Sequence, residues 1–238
     1  MEETTSKAVD NGKRLCEEAE RLLKEAFQDF ASAAREGDPE AEFQMGRMFD
    51  RGYGCTQNWK IAFEMYTAAA EKGHTEAVYY LGLMYYHGHH AEQDYSKAAE
   101  CFEKAGGEGL HKAVYNLGVM YENGTGVEKD AAKAAGYYER AADLGSSKAM
   151  YNLGVMYSKG NGVVKDPRKQ FEWYRKSAEL GYDKGIHGVG YCYHYGIGVP
   201  KDDFEAMRWL KRSAEMGNMK SQKLMDVIRS SVNVISIS

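Results

Sequence analysis

Apolar residues recur along the chain at helical spacing, and the whole pattern repeats every 36 residues from Pro39 to Asn218. Within one unit, Ala113, Leu117 and Tyr121 lie four residues apart on one stripe, which predicts a helix of about thirteen residues. A second apolar stretch predicts a second helix, so each unit should be a helical hairpin. The five predicted units span 39–74, 75–110, 111–146, 147–182 and 183–218.

Glycine occupies three positions of the unit without exception. The first lies inside the first helix, where glycine costs about 1 kcal/mol relative to alanine, so we expect a compensating close approach of small residues such as Ala134 and Ala142. The second ends the first helix, and the third ends the second helix. The columns are Gly46, Gly82, Gly118, Gly154, Gly190; Gly52, Gly88, Gly124, Gly160, Gly196; and Gly73, Gly109, Gly145, Gly181, Gly217.

A short polar residue precedes each predicted second helix. Its side-chain oxygen can accept the unpaired backbone N–H groups of the first turn, which marks the helix start. Pro167 follows one of these residues, at a position where the missing N–H of proline costs nothing. The cap column is Asn58, Asp94, Asp130, Asp166 and Asp202.

The repeat pattern continues weakly beyond both ends of the array. Residues 1–38 are predicted to form an N-terminal helical cap with a degenerate half-repeat, because Ala26 and Phe30 match Ala62 and Tyr66 of the first unit. Together with the array, this pattern predicts an all-α fold of stacked helical hairpins with about twelve to thirteen helices and no sheet.

The C-terminal end is predicted to change character. Residues 219–230 resemble one more first helix and should form a capping helix. Residues 231–238 are rich in β-branched side chains, which favour an extended tail. Two alternatives are open for this tail: it occupies the groove of its own or a neighbouring chain and mediates self-association, or it frays in solvent.

The sequence AVYNLGVMYENGTGVEKDAAKAAGYYERAADLG, from Ala113 to Gly145, resembles the Sel1-like repeat, a relative of the tetratricopeptide repeat. The resemblance implies a right-handed α-solenoid whose first helices line a concave face. It also implies a role as an adaptor or scaffold in protein assemblies. The sequence departs from the pattern at His90, which replaces a loop glycine, and at Gln170, which replaces an alanine.

Composition excludes several classes of partner. The net charge is -4 and basic residues do not cluster, which argues against nucleic acid. No apolar run approaches the roughly 18 residues that cross a bilayer, and the chain starts without an apolar leader, so we expect no membrane insertion. The four cysteines fall at unrelated places of the repeat, which favours free thiols and a cytoplasmic location.

One side of the predicted first helices carries aromatic and apolar side chains where water-facing residues are expected. This ladder predicts a groove that binds a peptide or protein segment. The alternative is that these side chains pack against the adjacent first helix. The fifth position of the unit holds Phe43, Tyr79, Tyr115, Tyr151 and His187, and the ninth holds Arg47, Leu83, Val119, Val155 and Tyr191.

Polar residues on the same side predict what the groove recognises. An amide both donates and accepts, which suits a peptide backbone, and tetratricopeptide clamps use asparagine similarly. The alternative is a bond to the neighbouring helix. Lysines towards the C-terminal half predict attraction of an acidic segment or a free carboxylate. The sixth position holds Tyr80, Asn116 and Asn152, and the lysines are Lys112, Lys148, Lys159 and Lys184.

Catalytic chemistry has little support in the sequence. No phosphate-binding loop, zinc-protease motif or nucleophile elbow is present, so we expect no enzyme and no cofactor. His87, His89 and His90 are a weak candidate for a metal site, because their spacing matches no ligand pattern. Besides an adaptor, the sequence allows a structural subunit that uses its convex face and N-terminal helix and, less readily, a metal-dependent or hydrolytic enzyme.

Overall fold

The computed structural model describes the backbone from Glu2 to Ile235 and side chains from residue 8 to residue 230. Every regular element in this part is an α-helix, as predicted. The twelve helices are α1 (Glu2–Arg35), α2 (Pro39–Arg51), α3 (Trp59–Glu71), α4 (Thr75–His87), α5 (Tyr95–Gly107), α6 (His111–Asn123), α7 (Ala131–Asp143), α8 (Ser147–Lys159), α9 (Pro167–Glu179), α10 (Asp183–Tyr195), α11 (Asp203–Glu215) and α12 (Met219–Ile235).

The helices form two compact units, one up to Glu108 and one from Gly109 onwards. In the first unit, α2 pairs with α3 and α4 with α5, while α1 packs on α2 and α3 on α4. In the second unit, the hairpins are α6–α7, α8–α9 and α10–α11, and α12 packs on α11. Consecutive hairpins therefore pack as an α-solenoid within each unit, as the repeat predicted.

Local chemistry fixes the helix boundaries. The side chains of Asn58, Asp94 and Asp130 each accept a backbone N–H bond from the residue three places on, and α3, α5 and α7 begin there. The glycines that end the first helices have φ between 68° and 75°, a conformation that side chains with a Cβ disfavour. The predicted helix starts and stops are confirmed at these positions.

The glycine inside each first helix faces a large side chain of the second helix. A Cβ atom at Gly118 would lie 2.6 Å from Cδ1 of Tyr138, which is well inside van der Waals contact. The prediction that alanines provide this contact is therefore wrong, because the ring lies over the glycine. The same pairing joins Gly46 to Tyr66, Gly82 to Phe102, Gly154 to Tyr174, and Gly190 to Leu210.

Tyr66 and Tyr138 occupy equivalent places and are both fully buried, but their hydroxyl groups differ. The hydroxyl of Tyr138 donates to Oε2 of Glu122 at 2.6 Å. The buried hydroxyl of Tyr66 has no hydrogen-bond partner among the described residues. A buried hydroxyl without a partner loses its hydrogen bonds to water and gains none in return.

We expect Tyr138→Phe to lower the free energy of unfolding by about 1–2 kcal/mol, because a bond to a charged acceptor is lost. Tyr66→Phe should leave that free energy unchanged or raise it by up to about 1 kcal/mol, because it removes an unpaired polar group. Urea denaturation of the two variants measures both changes. A loss in Tyr66→Phe as large as that in Tyr138→Phe would contradict this account.

The final helix is longer than predicted. Since α12 continues to Ile235, residues 231–235 are helical and the extended tail predicted from 231 onwards is wrong there. Residues 236–238 lie outside the described part. On α12, Met225 and Ile228 are buried against α11, which anchors the middle of the helix. Weak β-propensity does not overcome a helix that is already anchored by packing.

Across the described residues, none of the helices combines the length and the apolar character needed to cross a bilayer.

Candidate functional site

A cavity of about 800 Å³ opens in the second unit, beside the helices α8, α9 and α10 and the start of α12. Its wall combines aromatic rings with basic side chains. Residues from three successive hairpin layers line it because the 36-residue repeat places equivalent positions of α8, α10 and α12 next to one another. The side chains that define its chemistry are Tyr151, Tyr174, Lys184, His187, Tyr191 and Lys220.

The cavity brings together only some of the predicted binding residues. Tyr151, Lys184 and Tyr191 line it. Four others lie on α8 but outside the lining, namely Lys148, Asn152, Val155 and Lys159. The remaining ones lie on α6, which carries Lys112, Tyr115, Asn116 and Val119, and on α4 of the first unit, which carries Tyr79 and Tyr80.

The tyrosines of the predicted ladder are half-buried and pack on the second helices. The ring of Tyr151 stacks on that of Tyr174 with centroids 5.5 Å apart, and Tyr115 packs on Tyr138 at 5.7 Å. Burial raises the pKa of Tyr115 and of Tyr151, in keeping with their packed positions. These rings therefore serve packing and expose only part of their surface to a ligand.

The apolar residues at the ninth position of the unit differ in how far they are exposed. Val119 and Val155 are half-buried and pack against the apolar core of the second unit. Tyr191, in contrast, is 39% exposed and lines the cavity. The ring of Tyr191 packs on that of Tyr195 with centroids 4.5 Å apart. Through Tyr191, this exposed aromatic pair offers a flat apolar contact to a ligand in the cavity.

Asn152 is engaged within the protein. Its amide interacts with the hydroxyl groups of Tyr115 and Tyr138, which lie on α6 and α7. These interactions connect α8 with the preceding hairpin. They favour, for Asn152, the alternative in which the amide faces the neighbouring helix.

Lysine recurs at the second position of every first helix in the second unit. All four ammonium groups are exposed, and none forms an ion pair with another described residue. Sequence analysis missed Lys220, although it lies one repeat length of 36 residues after Lys184. In the first unit the same position holds glutamate. The column is Lys112, Lys148, Lys184 and Lys220.

The carboxylate of Asp183 belongs to the cavity lining as well. It accepts a hydrogen bond from Nδ2 of Asn218 at 3.3 Å. Lys184 and Lys220 outnumber this carboxylate, and Lys165 adds a third basic group to the lining. The cavity therefore carries a net positive charge, which attracts anionic groups.

His187 takes the position that aromatic rings hold in the other units. Its Nδ1 lies 2.8 Å from Oγ of Ser221. Oγ of Ser221 donates to Oγ of Ser213 at 2.8 Å, and Ser213 donates to the carbonyl of Asp183 at 3.1 Å. Because the hydroxyl protons of Ser221 and Ser213 are both donated to other acceptors, Nδ1 of His187 must be the donor to Ser221. The neutral ring then keeps Nε2 as a free acceptor.

Burial, helped by the charge of Lys220, lowers the pKa of His187 below its ordinary value. The unfolded chain therefore binds more protons than the folded one between that lowered pKa and about 6.5, and stability falls as the pH drops through this interval. We expect the variant His187→Gln to lose less stability than the wild type between about pH 7 and pH 5. Urea denaturation at several pH values measures both slopes; equal slopes would contradict the assignment.

The three histidines proposed as a weak metal candidate pack as aromatic rings. His89 stacks on Trp59 with centroids 4.3 Å apart and on His87 at 5.4 Å, and His90 packs against Phe63 at 5.6 Å. Within the described residues, no group of three His, Cys, Asp or Glu side chains is placed to hold a metal ion. The structure gives the candidate no support.

Stacked helical hairpins with a lined cavity define an α-solenoid repeat protein. The family model of the Sel1 repeat matches the array five times, at residues 39–74, 75–110, 111–146, 147–182 and 184–218. The chain therefore belongs to the Sel1 repeat family, which confirms the resemblance found in the sequence.

Solved structures of this family share the fold. A Sel1 repeat protein from Oxalobacter formigenes is 32% identical, covers 92% of this chain and 89% of its own, and gives a TM-score of 0.82. The antigen c5321 of uropathogenic Escherichia coli, described as displaying an SLR fold, is 34% identical over 84% of this chain, with a TM-score of 0.79. This chain spans only 43% of that antigen.

More distant similarity extends to the yeast protein Tom70, at 14% identity over 88% of this chain and 43% of that chain, with a TM-score of 0.58. This likeness concerns the fold alone. No curated protein matches the chain at a significant level.

Proposed function

We propose that the chain is a non-enzymatic adaptor that binds a segment of a partner protein in the cavity of its second unit. Sel1 repeats generally serve as scaffolds for protein–protein interactions, which supports the class. The observation that carries the location is the cavity of about 800 Å³ with both aromatic and basic lining. Sites of this kind combine apolar walls with a few convergent polar groups.

The lining favours an acidic segment or a free carboxylate as the ligand. Lys184 and Lys220 supply ammonium groups that form no ion pair with an acidic side chain of the described part. Tyr191 adds an exposed ring for an apolar neighbour, and the neutral ring of His187 can accept a backbone N–H through Nε2. Charge would then guide the encounter, while the rings hold the segment in place.

A second candidate is a structural subunit of a larger complex that uses other surfaces. The observation that favours it is the exposure of α1, whose side chains from residue 8 to residue 25 all face solvent. Either role is compatible with a cytoplasmic location. The free thiols of Cys16, Cys55, Cys101 and Cys192 favour such a reducing compartment.

Selection from a displayed library of random peptides with free C termini tests the proposal. We expect the wild-type chain to enrich peptides that are rich in Asp and Glu or that depend on the terminal carboxylate. A variant that combines Lys184→Glu with Lys220→Glu serves as the counter-selection. If no peptide is enriched over this variant, or if enriched peptides bind the variant equally well, the cavity is not the binding site.

A further inference from the structure

The helix α1 extends well beyond the repeat on which it packs. Its C-terminal part, from Leu23 to Arg35, takes the place of a second helix. A Cβ atom at Gly54 would lie 2.5 Å from the carbonyl oxygen of Leu23, and Gly162 meets Ala131, the first residue of α7, in the same way. The part of α1 before Leu23 therefore projects past the start of an ordinary repeat helix, and its described side chains are all exposed.

The projecting part carries a heptad pattern. Gly12, Cys16, Ala19 and Leu23 follow one another at spacings of four, three and four residues, which places them on one seam of the helix. Large apolar side chains on this seam and directly beside it are exposed together on one side of the helix. The exposed fractions are 53% for Leu15, 52% for Leu22 and 38% for Leu23.

We propose that this segment pairs with the same segment of a second copy of the chain, as an antiparallel two-stranded coil centred between Glu17 and Glu18. In this register Gly12 lies opposite Leu23 of the partner subunit, and Cys16 lies opposite Ala19 of the partner subunit. Each layer then joins a larger side chain to a smaller one, which allows close packing. A parallel pair in register would instead place leucine against leucine and glycine against glycine.

Gly12 fits this register. It lies in the interior of α1, where glycine weakens a helix. A Cβ atom at Gly12 would meet no atom within 4 Å, so nothing in the chain itself requires glycine there. The side chain of Leu23 of the partner subunit fills this space in the antiparallel pair, and the glycine then has a packing role.

Charge complementarity selects the same orientation. In the antiparallel pair, Lys13 faces Glu20 of the partner subunit, and the symmetry repeats this ion pair once. Neither side chain forms an ion pair within the described residues. In a parallel pair, Lys13 would face Ala8 and Glu20 would face Leu15 of the partner subunit, so no ion pair would form. On the other side of the seam in the antiparallel pair, Leu15 packs against Leu22 of the partner subunit.

Sedimentation equilibrium of the whole chain tests the proposal. The wild type should sediment with twice the chain mass of 26.7 kDa. Lys13→Glu and Glu20→Lys should each shift the chain towards monomer, because each sets like charges opposite one another, and the double exchange should restore the dimer. A monomeric wild type at every concentration, or single variants that remain fully dimeric, would overturn the proposal.

Further variants separate the pair from a general surface effect. Gly12→Leu should dissociate the dimer, since it fills the space meant for Leu23 of the partner subunit, while the helix content of the chain rises. Leu15→Lys should also dissociate it, whereas Leu180→Lys, at an equally exposed leucine of 55%, should not. A dimer that persists in Gly12→Leu, or that is lost in Leu180→Lys, would contradict the proposed interface along α1.

Oxidation distinguishes the two orientations directly. A parallel pair places Cys16 opposite Cys16 of the partner subunit, where a disulfide forms readily, whereas the antiparallel pair offsets them. With Cys55 and Cys101 replaced by serine, we expect a dimer that mild oxidants do not cross-link. Rapid cross-linking through Cys16 would overturn the antiparallel register. The cavity of the second unit plays no part in these tests, so their outcome is independent of the proposed function.

Discussion

Replacing Gly118 by leucine is expected to lower the free energy of unfolding by about 3 kcal/mol, although leucine favours helices and glycine does not. Even a Cβ atom at this position would lie 2.6 Å from two ring carbons of Tyr138. The ring cannot move aside, because Tyr138 is fully buried and its hydroxyl is bound to Glu122. Overpacking therefore outweighs the gain in helix propensity.

Gly136→Ala provides the matched control for this prediction. Gly136 lies inside α7, and a Cβ atom there would meet no atom within 4 Å. This substitution should raise the free energy of unfolding by about 0.5–1 kcal/mol, because only the helix propensity changes. Urea denaturation followed by circular dichroism measures both variants. If Gly118→Leu is as stable as the wild type, the contact between α6 and Tyr138 does not exist.

Reversing the charge of Lys184 and Lys220 together should weaken the binding of a selected acidic peptide roughly thirty-fold, which corresponds to about 2 kcal/mol. Both ammonium groups line the cavity, so each substitution removes an attraction and adds a repulsion. The salt dependence of binding should shrink as well, because fewer opposite charges meet. Isothermal titration at two salt concentrations measures both quantities.

Two comparisons make the charge-reversal test specific. Lys148→Glu together with Lys184→Glu should also weaken binding, but less than the first pair, because Lys148 lies outside the lining. Lys60→Glu with Lys211→Glu changes the net charge by the same amount on exposed helix surfaces and should leave the affinity unchanged. Equal losses in all three variants would indicate a general charge effect rather than a site.

The sequence predicted the helices well because their boundaries depend on local chemistry. Asp130 caps α7 and Gly124 ends α6 through local contacts that do not depend on tertiary packing. The partner of Gly118 could not be predicted in this way, since it depends on which side chain of the facing helix reaches across. The end of α12 was misjudged because β-branched residues favour strands only where packing does not already hold a helix.

The candidate site was predicted only in part. The lysine column follows from the repeat register, and its last member, Lys220, was missed because it lies in a capping helix with altered sequence. Burial of Tyr115 and its interaction with Asn152 depend on how neighbouring hairpins pack. The cavity itself lies beside α10 and the start of α12. It depends on how these helices are arranged, so no single residue of the sequence predicts it.

Photo-cross-linking in cells that make the chain tests the central claim most directly. Benzoylphenylalanine would replace either Tyr191, 39% exposed in the cavity lining, or Phe204, 75% exposed outside it. We expect the variant at Tyr191 to cross-link to a partner protein through an acidic segment or a C terminus, and the variant at Phe204 to give no such product. Cross-links from Phe204 with none from Tyr191 would contradict binding in the cavity.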